Sequence, residues 1–192
     1  MRIDTKITLP LRRRHVLAGG LSLLAMPIVA PVAAKPHNIP IPKLNATLVK
    51  ALAGLDHIAG APFSPPGGKV TVVTFFASWC PPCRVEFHHL SAIRRRYPAA
   101  DLDIVAINLF ETWAGQSNPG RLDRFLRDTK PQFTVIRGND DISKRFGDVT
   151  RIPTLLVFDR QGRMAYRFVH KTGATKTHVE EAELRGIIDG VL

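Results

Sequence analysis

The chain has 192 residues, 45% of them hydrophobic and 22% charged, with a formal net charge of +11 and two cysteines. That length suits one well-buried domain better than two, and two cysteines alone cannot make a four-ligand structural zinc site. Setting residues 1–34 aside leaves 22 basic against 15 acidic side chains, or +7. Without aromatic–basic interleaving this reads as a basic soluble surface, and no nucleic-acid partner is expected.

Residues 1–34 read as an export signal. A basic start ends at Arg12-Arg13-Arg14, Val16 to Ala34 carries no charge, and Val32-Ala33-Ala34 offers small residues for cleavage. The 19 uncharged residues nearly span a bilayer, so a retained membrane anchor is the alternative, one that Gly19, Gly20, Pro27 and Pro31 weaken. Either way the rest of the chain is expected outside the cytoplasm. Residues 35–59 read as a linker and an N-terminal extension: a proline-rich stretch, then a short helix over Ala46–Leu55 capped by Asn45, with Leu48, Leu52 and Leu55 on one face. Gly60 to Gly68, with three prolines, is a loop. From residue 60 to the end the pattern is that of one domain.

Val70 to Phe76, VTVVTFF, is β-branched and aromatic almost throughout, as in a strand buried on both faces. Cys80-Pro81-Pro82-Cys83 then opens a helix whose apolar stripe is read as Val85, Leu90 and Ile93, ending at Tyr97-Pro98. A thiol at Cys80 therefore meets unpaired amides and the positive end of the helix dipole, which favours its thiolate. His88 and His89 lie one to two turns below the thiols, so the cysteines are read as a redox pair and no metal site is expected. Further strands are predicted at Leu102–Leu109, Phe133–Ile136, Leu155–Phe158 and Met164–Val169. Helices are predicted at Arg121–Asp128 and Ile142–Phe146, with a final amphipathic helix over Thr177–Val191. The alternation gives an α/β fold with a mixed central sheet covered by helices on both faces.

FFASWCPPCRVEF resembles the active site of the thioredoxin superfamily, in particular the periplasmic TlpA/ResA-like thiol-disulfide oxidoreductases. Arg151-Ile152-Pro153-Thr154 is similar to that family's cis-proline loop. The resemblance implies a thioredoxin fold from about Gly60 onward. It makes Cys80 the nucleophile and Cys83 the resolving thiol, with Pro153 in the cis form facing the disulfide. The Ile152 backbone is then placed to pair with an extended substrate, and Trp79 to flank the thiol as an apolar platform. Thr74 stands where cytoplasmic thioredoxins carry a buried aspartate and cannot accept a proton. Glu86 matches the acid of the C-x-x-C-x-x-E pattern and is the candidate replacement, the plain alternative being a surface charge. His88 departs from the group, which has a kinking proline there, so a straighter helix is expected. The loop Glu111–Gly120 borders the expected substrate groove, with Trp113 either recognising a partner or merely packed.

The resemblance implies an enzyme without cofactor, a protein-disulfide reductase. Its clients would belong to cytochrome c or cytochrome oxidase assembly, with electrons from a membrane thiol donor. The rivals are a disulfide-forming oxidant and a non-catalytic copper-binding chaperone. Oxidants of that kind carry a large helical insertion, for which Asn108 to Ile152 is too short.

Overall fold

The computed structural model describes residues 43–192. The export segment expected at 1–34 and the start of the linker lie outside the described residues. Among the described residues no helix is long and apolar enough to cross a membrane.

The fold grows from β2, Val70–Phe76, whose seven residues are all buried. Strand β3 (Leu102–Asn108) runs parallel to it in full register, Val70 beside Leu102 and Phe76 beside Asn108. Strand β4 (Thr134–Arg137) continues the parallel set, while β5 (Thr154–Phe158) and β6 (Met164–Val169) add antiparallel strands on the other side. The sixth strand, β1 (His57–Ala59), pairs antiparallel with β4, giving the order β1-β4-β3-β2-β5-β6. The mixed thioredoxin-like sheet is therefore as expected, but β1 is an addition to the reading. It lies in the stretch taken as linker and extension. Three residues carry too little alternation to announce a strand, and pairing with β4 makes it one.

Side chains alternate along β2, so Thr74 and Phe76 face one way and Phe75 the other. Phe76 meets Phe87 of α2 (Pro81–Arg96) and Phe125 of α3 (Arg121–Thr129). On the opposite face Phe75 packs edge-on against Phe146, which ends α4 (Asp140–Arg145). Helix α1 (Ala46–Ala53) contacts α4 and sinks Leu48 and Leu52 into the core, so the N-terminal extension contributes to the fold's centre. Asn45 and Asn139 cap α1 and α4, each side chain accepting a backbone N–H three residues on. The Leu44 amide donates to Gly162 O at 2.8 Å. Gly162 has φ +72°, and a Cβ there would stand 2.6 Å from Leu44 O, so only glycine fits that approach.

Two readings of the helices need correction. The buried face of α2 is Cys83, Glu86, Phe87, Leu90 and Ile93, whereas Val85 is 40% exposed. At 3.6 residues per turn Val85 points about 200° away from Phe87, so Leu90 and Ile93 belong with Phe87 instead. The last helix, α5, spans Glu181–Asp189 and not the range from Thr177. Residues 177–180 are non-helical, with Val179 buried and its carbonyl accepting from His89 Nδ1 at 3.0 Å. A carbonyl committed to a side chain on α2 does not start a helix ladder.

Candidate active site

Strand β2 ends at Phe76, and Ala77-Ser78-Trp79 carries the chain to Cys80, the N-cap residue of α2. Pro81 and Pro82 occupy the first two helical positions, where a missing N–H costs no intrahelical bond and the fixed φ suits the helix. Cys83 supplies the next amide, which donates to Cys80 Sγ at 3.3 Å. The two cysteines are joined as a disulfide. Both are buried, Cys80 at 4% and Cys83 at 1% exposure, so Cys80 is the slightly more accessible of the two.

A cleft of about 240 Å³ opens beside them, lined by Trp79, Cys80, Trp113, Arg151, Ile152 and His170 among others, and not by Cys83. The structure thus brings three of the expected residues, Trp79, Cys80 and Ile152, to one surface. The Ile152–Pro153 bond is cis, and Pro153 is buried next to the cleft residue Ile152. The Ile152 carbonyl accepts from His170 Nδ1–H at 3.2 Å. Trp113 is 56% exposed, its ring centroid 5.8 Å from that of Trp79. A packed loop aromatic would be covered, so Trp113 is part of the cleft wall.

Glu86 is not a surface charge. It is 1% exposed, and Thr74 Oγ1 donates to its Oε1. The strand position that carries an acid in cytoplasmic thioredoxins and the helix position that carries one here meet across the β2–α2 interface. Burial raises the Glu86 pKa to about 7, outweighing the hydrogen bond from Thr74, which lowers it. Its Oε2 is buried without a hydrogen-bond partner. Helix α2 runs unbroken from Pro81 to Arg96 past an exposed His88, in line with the absent proline.

Sequence reasoning missed Glu111. Its Oε1 accepts from Ser78 N at 2.7 Å and Asn108 Nδ2 at 2.5 Å, and its Oε2 accepts from Ser78 Oγ at 2.6 Å. One carboxylate thereby fixes the turn before Cys80 to the end of β3. Phe110 assists: its carbonyl accepts from Trp79 Nε1 at 2.7 Å and from Trp113 N at 3.1 Å. Phe110 holds φ +62°, a costly backbone for a bulky residue, and this aims one carbonyl at both tryptophans. A separation of 33 residues between Ser78 and Glu111 leaves no trace in a linear pattern; only the loop's place after β3 hinted at it.

A dithiol pair at the head of the helix after the central strand, facing a cis-proline loop across a cleft, defines a thioredoxin-fold thiol-disulfide oxidoreductase. The Redoxin family model matches residues 64–187, and the chain belongs to the Redoxin family. It is 25% identical over 118 residues to sporulation thiol-disulfide oxidoreductase A of Bacillus subtilis, covering 60% of this chain and 69% of that one. It is 32% identical over 102 residues to the thiol:disulfide interchange protein HelX of Rhodobacter capsulatus, 52% of each chain, so only about half of that relative is spanned. A secreted Mycobacterium tuberculosis disulfide oxidoreductase shares the fold with a TM-score of 0.56 at 21% identity, over 76% of this chain and 99% of its own.

Proposed function

We propose that the protein is exported, acts outside the cytoplasm and reduces protein disulfides. The Cys80 thiolate attacks a client disulfide, forming a mixed disulfide and releasing one client thiol. Cys83 gives up its proton and attacks Cys80 Sγ, which forms the Cys80–Cys83 disulfide and releases the second thiol. Two electrons pass to the client, and a membrane thiol donor restores the pair. Glu86 is the acceptor for the Cys83 proton, one helical turn away on the buried face of α2. Trp79, Ile152 and Pro153 hold the client chain. The observation that carries this reading is the asymmetry of the pair: Cys80 reaches the cleft, whereas Cys83 lies behind it on the face that holds Glu86. The reading takes residues 1–34 as the export signal, cleaved or kept as a tether, and places the clients in cytochrome c or cytochrome oxidase assembly, as the TlpA/ResA-like resemblance suggests.

The reducing direction rests on the prolines. Of the first three helical amides, Pro81 and Pro82 supply none, and only Cys83 N–H reaches Cys80 Sγ. A thiolate held by fewer donors is a less favoured product of reduction. In glutathione buffers the couple is expected near thioredoxin's value of about −270 mV. A potential above about −180 mV, that of protein disulfide isomerase, would overturn the assignment. The clients are read out by Cys83→Ser, which cannot resolve. Cells producing it are expected to accumulate mixed disulfides at Cys80 with a cytochrome c or oxidase assembly protein. Adducts that persist when Cys80 is also replaced would sink this scheme.

A further inference from the structure

Away from the dithiol, α2 and the segment before α5 bring together His89, His178 and Glu180, with one ligand atom of each within 4.8 Å of the others. His178 Nε2 is 3.1 Å from Glu180 Oε1, and His89 Nε2 is 3.8 Å from Glu180 Oε2. The imidazole side chains are 19% and 17% exposed, while Glu180 is 64% exposed and free to turn toward them. The second ring nitrogens are engaged: His89 Nδ1 with Val179 O at 3.0 Å, and His178 Nδ1 with Thr177 Oγ1 at 3.0 Å. A carbonyl only accepts, so His89 Nδ1 must carry the proton. That leaves Nε2 as the ring atom that could ligate, 3.8 Å from Glu180 Oε2. Three ligand atoms so placed form a set that one cation could join. A backbone carbonyl orienting the outer ring nitrogen is the usual support of a metal-bound histidine.

We propose that His89, His178 and Glu180 bind a divalent late-transition ion of the Zn²⁺ type, with water completing the coordination. Two imidazoles and a carboxylate are a ligand set suited to Zn²⁺ and poor for Mg²⁺ or Ca²⁺. Bonds of 2.0–2.1 Å in a tetrahedral set place donors about 3.3 Å apart; His178 Nε2 and Glu180 Oε1 already stand at 3.1 Å, whereas His89 Nε2 meets the other carboxylate oxygen at 3.8 Å. All three ligand atoms lie within 4.8 Å of one another, so binding needs the groups to draw together, and Glu180, 64% exposed, is the one with most room to turn. His89 follows Cys83 by six residues, about 9 Å along the helix, so the site is separate from the dithiol. It stands whatever client the dithiol serves. Occupied, it would fasten residues 178–180 to α2 one turn beyond Glu86.

Calorimetric titration of the untagged full chain with ZnCl₂, with the Cys80–Cys83 disulfide kept oxidised, tests the site. One equivalent is expected, with no comparable heat from MgCl₂ and a higher melting temperature in Zn²⁺. His89→Gln, His178→Gln and Glu180→Gln should each weaken binding by at least about tenfold, since even outer-shell partners are worth 10–100-fold. Glu180 is exposed, so its variant is a ligand test free of folding effects; the melts of all three in EDTA serve as the folding control. Absence of Zn²⁺ binding would mean that the cluster is an ordinary histidine–glutamate ion pair. Binding that survives any one of the three substitutions would overturn the assignment equally.

Discussion

Replacing Glu86 by glutamine is expected to slow resolution of the mixed disulfide by about 10²–10⁴-fold, the usual worth of a positioned base. The attack by Cys80 should change little. Glutamine keeps the shape and can still accept the Thr74 hydrogen bond, so the difference isolates the missing proton acceptor. With a pKa of about 7, Glu86 is protonated and idle in acid. The wild-type resolution rate should therefore show an inflection near pH 7, and the variant should lose that inflection and follow the ionisation of Cys83 alone. Stopped-flow measurement of both steps from pH 5 to 9 reads this directly, and an unchanged resolution rate would remove Glu86 from the mechanism.

The same substitution should act in the opposite sense on stability. A carboxyl whose pKa is raised on folding binds its proton more tightly in the native state. Its contribution is fully present below the unfolded value of 4.5 and is lost as pH rises through about 7. The shift corresponds to about 3 kcal/mol. Urea unfolding of the oxidised proteins at pH 5 and pH 8 should show wild type losing ground to Glu86→Gln by roughly that amount. An acid retained in the core at such a cost is consistent with a task beyond packing.

The second large effect is at Phe87. Its ring centroid lies 4.6 Å from Phe76, 4.8 Å from Phe125 and 5.3 Å from Phe133, so it joins β2, α3 and the start of β4. Phe87→Ala should cost about 3–5 kcal/mol, a large share of the total stability of a domain. Val85→Ala, two residues away, should stay within about 0.5 kcal/mol, as exposed sites do. Chemical denaturation of the two variants separates the faces of α2. Comparable losses from both would contradict the observed helix orientation.

What could be read from the chain follows from how local each signal is. Strand β2 was legible because seven residues buried on both faces must nearly all be apolar. The placement of Cys80 was legible because the two prolines fit the first turn of a helix and not its interior. The apolar face of α2 was misjudged because its buried set includes a glutamate, which no hydropathy pattern assigns to a core. Glu86 is met there by Thr74 from β2, a contact 12 residues apart, and by the backbone of Val179, far along the chain. Glu111, the β1 pairing and the meeting of His89 with His178 depend on which elements become neighbours. The last of these joins positions 89 residues apart, and spacing along the chain says nothing about it.

The two tryptophans, Trp79 and Trp113, are the only ones in the chain, and both line the cleft that Cys80 enters. A disulfide accepts an electron from an excited indole more readily than two thiols do, and so quenches its emission more strongly. All of the protein's indole fluorescence therefore originates beside the redox centre. The intensity should rise when the pair is reduced and fall as a client is turned over. The protein thus carries its own optical gauge of oxidation state, readable without label or coupled assay.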